Sequence, residues 1–366
     1  MSEQSPIARL NEYGQSPWCD NLTRKLVDDG ELARMIEHDG IRGVTSNPTI
    51  FEKAMAGGEG YDEQLTQLKQ RGLAIDDIYW ELVLTDIRSA ADVLRPTFER
   101  LAGGDGFVSV EVAPELAYDT EPTIAQVHAL HERAARPNVL VKIPATAEGV
   151  PAIEQCTAAG ISVNITLIFS LTRYGEVIEA YFRGLERHAE DGGDLARIAS
   201  VASFFVSRVD TEADKRLPEG HPLRGRVAVA NAKLAYRLFR QRFSGERWVA
   251  LESQGARLQR PLWASTSTKN DDYSDTLYVD ELVGRDTVNT LAQPSMNALR
   301  DHGDPQPDTV TRDVDEAERV MEELANAGID YDDLTATIER AGVESFERSY
   351  VDCLKSLEQR ATDLAA

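Results

Sequence analysis

Short runs rich in β-branched and aromatic residues alternate with longer stretches of helical periodicity from about residue 18 to residue 290. The short runs predict strands over Trp18–Leu22, Ile41–Thr45, Phe107–Val112, Val139–Ile143, Ser162–Thr166, Ile198–Phe205, Leu262–Ser267 and Thr287–Thr290. Several are apolar on both faces, as a parallel strand must be when helices cover one side and packed side chains the other. The stretches between them predict helices over Asn21–His38, Tyr61–Gly72, Ile75–Gly103, Thr123–Arg136, Gly149–Gly160, Leu171–Asp191 and Asp210–Phe243. Strand followed by helix, repeated around eight strands, predicts an α/β fold: a (β/α)8 TIM barrel in preference to an open sheet.

Two stretches fall outside the repeat. Ser244–Arg260 reads as the end of a long helical insertion carrying a polar connection. Residues 301–312 are rich in Pro and Asp and lead to a helical tail, Asp315–Ala366, whose Val320, Leu324, Leu334, Ile338, Phe346, Tyr350 and Leu354 recur at helical spacing. With no other break in composition, the expectation is one domain over residues 1–366, a barrel with a helical insertion and with 301–366 as linker and packed C-terminal helical tail.

At 366 residues and 42% hydrophobic content, the chain has enough apolar material for such a core. Charge narrows the partners: 39 Lys and Arg against 62 Asp and Glu leave a formal net charge of -23. That balance argues against nucleic acid and against an anionic membrane surface, but a locally basic site for a phosphorylated substrate remains open. Three cysteines, Cys19, Cys156 and Cys353, are an odd set without metal-ligand spacing, which fits a reducing compartment. The opening MSEQSPIARLNEYGQSP lacks the basic flank and apolar core of a secretory signal, and no run is long enough to span a bilayer. A soluble cytoplasmic protein is expected.

Lysine is scarce, and one lysine stands apart. Lys25, Lys53, Lys69, Lys215, Lys233 and Lys355 lie in helical or mixed polar surroundings where a solvated ammonium is the ordinary reading, whereas Lys142 ends the apolar run Val139-Leu140-Val141-Lys142-Ile143-Pro144. Burying an ammonium there costs free energy unless it is paired or its pKa falls, and a depressed pKa supplies the free amine that attack on a carbonyl requires. A lysine whose head reaches solvent at the strand end is the plain alternative, and on this segment alone the two stand equal.

The other strand ends favour chemistry. Ser162-Val163-Asn164-Ile165-Thr166 puts Asn164 and Thr166 on one face, and in a barrel that face is the lumen near the C-terminal rim. Glu111 closes Phe107-Val108-Ser109-Val110, Asp20 lies within Trp18-Cys19-Asp20-Asn21-Leu22, and Asn47 follows Gly43-Val44-Thr45-Ser46. Any one of these is more often a helix cap or a satisfied polar residue. Five ends carrying carboxylate, amide, hydroxyl or amine on one rim form a constellation.

An anion site is legible further along. Ser203 precedes Arg208 by five residues, and Ser265-Thr266-Ser267-Thr268-Lys269-Asn270 closes the seventh strand, where many barrels hold phosphate. Taken alone, the hydroxyls are better explained as a helix N-cap; with Arg208 available, phosphate becomes the better reading. The glycines of Ala102-Gly103-Gly104-Asp105-Gly106 precede a strand, so they are no dinucleotide loop, and His128 and His131 lack the acidic partner pattern of a metal site.

Gly43-Val44-Thr45-Ser46-Asn47-Pro48-Thr49-Ile50-Phe51, the stretch Val139–Thr146, Asn164-Ile165-Thr166-Leu167-Ile168-Phe169-Ser170 and Ala202-Ser203-Phe204-Phe205-Val206-Ser207-Arg208 together resemble the transaldolase family, in order and spacing, over roughly residues 10–300. The length and tail resemble its longer bacterial branch. The resemblance implies a cofactor-free Schiff-base enzyme of the pentose phosphate pathway. Such an enzyme moves a dihydroxyacetone unit from sedoheptulose 7-phosphate or fructose 6-phosphate to an aldose phosphate, as a monomer or homodimer. It implies Lys142 as the imine-forming nucleophile, Asp20 as the proton carrier for the C4 hydroxyl, and Glu111 with Thr166 around the proton-shuttling water. Asn47 and Asn164 would bind the three-carbon unit, Ser203 and Phe205 would line the pocket, and Arg208, Ser267 and Lys269 would grip phosphate. Shorter members carry Arg at the place of Lys269, and an Asp two residues after the glutamate where this chain has Ala113. A free aldolase on the same scaffold is the nearest rival, although aldolase-type relatives generally replace the glutamate. A non-catalytic barrel scaffold and a cofactor-dependent reductase are the rivals from other classes.

Overall fold

The computed structural model describes residues 5–58 and 60–364. Its strands are β1 (Gln15–Cys19), β2 (Gly43–Val44), β3 (Phe107–Glu111), β4 (Val139–Pro144), β5 (Val163–Ile168), β6 (Ser200–Phe205), β7 (Gln259–Ala264) and β8 (Thr287–Leu291). Each pairs in parallel with its neighbours in the chain, and β8 pairs with β1, which closes the sheet into a (β/α)8 barrel.

Two strands begin three residues before the predicted ones. The polar openings of β1 and β7 resemble loop in the sequence, yet they line the closed end of the barrel, where polar side chains satisfy one another. Gln15 Nε2 donates to the Leu282 carbonyl (2.7 Å) and to Thr287 Oγ1 (3.0 Å), and Gln259 Nε2 donates to Ser200 Oγ (2.9 Å). β2 is shorter than expected. A Cβ on its Gly43 would lie 2.4 Å from the Trp18 indole, so only glycine lets that ring cross the barrel.

Helices differ from the pattern for similar local reasons. The span Asn21–His38 is two helices, Arg24–Asp28 and Glu31–His38, separated at Gly30 in the left-handed region (φ 70°). Asp210–Phe243 is likewise two, Ser207–Arg216 and Val227–Arg242, parted by residues 217–226 with their two prolines and two glycines. Helices Pro6–Glu12, Pro48–Ala56 and Gln293–His302 were not expected; each has proline in its first turn, where its missing N–H costs nothing. In place of the end of a long insertion, Ser244–Arg260 holds the short helix Glu246–Glu252, whose Trp248 packs on Phe182 and Phe243 at 5.7 and 4.7 Å. Lys233 is not solvated. It is buried and paired with Glu281 at 2.7 Å.

After the Gln293–His302 helix and a short turn, the tail forms two helices, Val314–Asn326 and Tyr331–Asp363. Ala365 and Ala366, the end of the predicted tail, lie outside the described residues. Val320, Leu324, Leu334, Ile338, Phe346 and Tyr350 are buried as the spacing requires, while Leu354 yields its place to Cys353 and Leu357. The helix Tyr331–Asp363 packs on Pro48–Ala56, on the turn Pro114–Leu116, on β5 and on Ser207–Arg216. These elements lie at or beyond the C-terminal ends of β2, β3, β5 and β6, so the terminal helix straps the mouth of the barrel. Among the described residues, no helix is long and apolar enough to cross a membrane.

Candidate active site

Strand register builds the centre of the site. Glu111 of β3 pairs with Lys142 of β4, and Lys142 pairs with Asn164 of β5. Register neighbours point to the same side of a sheet, so acid, amine and amide form one row into the lumen. Lys142 Nζ lies 3.2 Å from Glu111 Oε2, with the two side chains 6% and 5% exposed. The aligned hydrogen bond of Nζ goes to the Ser46 carbonyl (3.0 Å). Glu111 Oε2 therefore holds a charge contact without a well-directed hydrogen bond. Burial pushes the Glu111 carboxyl above its ordinary value, against the pull of Lys142.

Asp20 follows β1 immediately and is held by a chain of hydroxyls. Thr45 Oγ1 donates to Asp20 Oδ1 (2.6 Å) and lies 2.6 Å from Thr290 Oγ1. Thr45 has one hydroxyl proton, so Thr290 is the donor in the second bond. Burial raises the Asp20 carboxyl too, opposed by the Thr45 bond and by the charges of Lys142, Arg208 and Lys269.

Asn164 is fixed at both ends of its amide: Nδ2 donates to Ser109 Oγ (3.0 Å), and Oδ1 accepts from Ser203 Oγ (2.7 Å). Thr166 Oγ1 is buried without a hydrogen-bond partner among the described residues. Next to it the register of β5 against β6 shifts, with Leu167 in the left-handed region (φ 58°), a bulge that re-aims the strand end. Asn47 caps the helix Pro48–Ala56 by accepting from the Ile50 N–H at 3.0 Å. The Phe205 and Phe169 rings meet at 5.2 Å, and the Arg208 guanidinium lies over Phe205 at 5.1 Å.

Beyond β7, Ser265 turns the chain through the left-handed region (φ 56°), and its hydroxyl lies 2.9 Å from that of Ser207. Ser267 Oγ is 2.8 Å from Ser295 Oγ. The loop that carries Ser267 and Lys269 is tied to the Ser207–Arg216 helix where Tyr273 donates to Asp214 Oδ2 (2.5 Å).

Asp20, Asn47, Lys142, Thr166, Ser203, Phe205, Arg208, Ser267 and Lys269 all line one cavity of about 120 Å³ at the barrel mouth. Glu111 and Asn164 contact its wall from behind, through Lys142 and Ser203. The eleven predicted positions are thus brought together. The arrangement offers a buried amine beside a carboxylate, a second carboxylate on the same cavity, and two cations toward the rim.

The sequence model of the Transaldolase/Fructose-6-phosphate aldolase family matches residues 17–357. The chain belongs to this family. A protein named transaldolase from Saccharopolyspora erythraea is 50% identical over 363 residues, covering 98% of this chain and 99% of its own. One of the same name from Acidothermus cellulolyticus is 52% identical over 351 residues (95% and 94%), and one from Thiobacillus denitrificans 49% over 355 residues (96% and 98%).

Sequence reasoning missed several residues of this transaldolase-family site. Thr45 and Thr290 hold Asp20, and both stood at predicted strand ends, the signal that found the others. Ser46 acts through its backbone carbonyl, which leaves no trace in residue type. Phe346 of the terminal helix lines the cavity, yet in the sequence it is one apolar position on an amphipathic face.

Proposed function

We propose that this chain is a transaldolase of the pentose phosphate pathway, transferring a dihydroxyacetone unit from sedoheptulose 7-phosphate to glyceraldehyde 3-phosphate and giving erythrose 4-phosphate and fructose 6-phosphate. The observation that carries the reading is the buried pair of Lys142 with Glu111, whose amine lines one cavity with Asp20 and, toward the rim, with Arg208 and Lys269. The family and the relatives named transaldolase support it.

The chemistry follows from the arrangement. An ammonium has no lone pair, so Lys142 must lose a proton before it attacks the ketone. Glu111 is the acceptor at 3.2 Å, and a carboxyl raised by burial is the stronger base. Attack of Nζ on the carbonyl carbon gives a carbinolamine, and protonation of its hydroxyl releases water and leaves the iminium. Thr166, with its hydroxyl uncommitted, helps hold the water that passes between substrate and Glu111. Asp20 then takes the proton of the C4 hydroxyl. The C3–C4 bond breaks, its electron pair enters the iminium to form an enamine, and the aldose departs. The enamine carbon attacks the incoming aldehyde, Asp20 returns its proton to the new hydroxyl, and water hydrolyses the imine to free Lys142. Asn47 and Asn164 bind the hydroxyls of the three-carbon unit, with Ser203 and Phe205 completing the wall. Arg208, Ser267 and Lys269 take the phosphate.

In this reading residues 1–366 work as one barrel domain, with 301–366 as a tail that helps wall the site through Phe346. It acts as a monomer or homodimer in the cytoplasm, a setting that suits three buried cysteines without disulfides. Product analysis with and without acceptor aldehyde tests the transfer: release of the aldose from sedoheptulose 7-phosphate should depend on glyceraldehyde 3-phosphate. Release of free dihydroxyacetone at an undiminished rate without acceptor would make the chain an aldolase instead.

A further inference from the structure

Gly342 sits within the 33-residue helix Tyr331–Asp363, although glycine is among the poorest helix formers. A Cβ at this position would lie 3.1 Å from Arg208 Nη1 and 3.1 Å from Leu167 Cδ2, closer than ordinary van der Waals contact. One turn further on, the Phe346 ring stands 5.8 Å from the Arg208 guanidinium, whose other aromatic neighbour is Phe205 at 5.1 Å. Among the described residues the guanidinium has no carboxylate at ion-pair distance and no hydrogen-bond acceptor, although it lines the cavity. Glu111 and Asp20 act on it only at longer range.

A guanidinium held by ring faces keeps its in-plane N–H donors free, and that fork matches two oxygens of one phosphate. Most buried arginines are oriented by hydrogen-bonded carboxylates; here packing does that work. The rings must come from elements that cannot shift, and one of the two belongs to the terminal helix. Gly342 is what lets this helix approach: a methyl there would push on the arginine and on the bulge of β5 at Leu167, the residue after Thr166.

We propose that Gly342 and Phe346 are positioning residues for phosphate recognition, and that the C-terminal helix sets the plane of the Arg208 fork. This rests on the reading of the cavity as a sugar phosphate site. The helix, distant in sequence from every reacting residue, is thereby coupled to the preference for phosphorylated over unphosphorylated ketoses.

The test compares the full-length wild type with Phe346→Leu, Phe346→Tyr and Gly342→Ala, using melting temperature as the control for folding. Calorimetry with inorganic phosphate reads the anion site without turnover, and kcat/KM for fructose 6-phosphate relative to fructose reads selectivity. Phe346→Leu should weaken phosphate binding and lower the selectivity ratio by roughly 3- to 30-fold, the span from an exposed to a desolvated cation–π contact. Phe346→Tyr should retain both, because it keeps the ring face. In an Arg208→Gln background Phe346→Leu should cause no further loss of phosphate affinity. Gly342→Ala should weaken phosphate binding in the same way. Equal phosphate affinity in wild type and Phe346→Leu, or equal further loss in the Arg208→Gln background, would overturn the proposal. A wild type that binds phosphate in this Phe346-dependent manner but transfers nothing would overturn the transaldolase reading and leave the positioning of Arg208 standing.

Discussion

Replacing Glu111 by Gln keeps the shape of the side chain and removes the carboxylate 3.2 Å from Lys142 Nζ. At that separation two unit charges attract by about 5 kcal/mol at an effective permittivity near 20. Desolvation of both ions offsets much of this, so the intact pair adds little net stability. Replacing Glu111 leaves the ammonium with the Ser46 carbonyl as its hydrogen-bonded partner but also relieves the cost of a buried carboxylate, so the two effects on stability oppose one another. The reaction loses its proton acceptor for the amine and the donor that expels water from the carbinolamine. A positioned acid–base group contributes about 10²–10⁴-fold. Steady-state kcat for transfer from sedoheptulose 7-phosphate to glyceraldehyde 3-phosphate should fall by that factor. The wild-type rate should also decline on the acid side as Glu111 takes up a proton. Because burial raises that carboxyl, the decline begins above its ordinary value of 4.5; the variant should lose the Glu111 contribution and keep only the one that Asp20 sets. A folded Glu111→Gln protein with kcat within threefold of wild type would refute the proton-transfer role.

Asp20→Asn should lower kcat by about 10²–10⁴-fold as well. Its effect on stability follows from the direction of its shift: the folded carboxyl titrates above its ordinary 3.8, so the folded state binds more protons than the unfolded state and stability falls as pH rises through that interval. Asp20→Asn should therefore melt higher than wild type at pH 7.5 and lose that advantage near pH 3.5 in scanning calorimetry; a lower melting temperature at pH 7.5 would contradict the burial argument. Lys142→Arg should abolish turnover with the barrel intact by circular dichroism, because a guanidinium stays protonated; measurable transfer would remove Lys142 from the mechanism. Lys269→Ala should chiefly raise KM for the phosphorylated donor, whereas a large fall in kcat at unchanged KM would assign Lys269 to another step.

Barrel and site were readable to different depths, and the reasons are local. Strand ends could be read because a lumen is a place where polar residues are conspicuous: Lys142, Glu111 and Asn164 interrupt apolar runs, and parallel register aligns them. The starts of β1 and β7 could not, since Gln15 and Gln259 bury their amides against partners far away in the chain. Helix breaks at Gly30 and across residues 217–226 were signalled by glycine and proline but masked by continuous helical periodicity on either side. The helices that Pro6 and Pro48 open run only 7 and 9 residues, too short for helical periodicity to stand out. Phe346 was recognised as buried, but which neighbour it would meet depends on how the terminal helix crosses the barrel mouth, a tertiary fact without a local signature.

Transfer through Lys142 requires a covalent bond to the sugar, and one experiment looks for that bond directly. Incubation with fructose 6-phosphate, reduction with borohydride and peptide mapping by mass spectrometry should yield a single stable sugar-derived adduct on the peptide that contains Lys142, formed in step with loss of activity. An unmodified Lys142 peptide, or an adduct on any other lysine, would contradict the account.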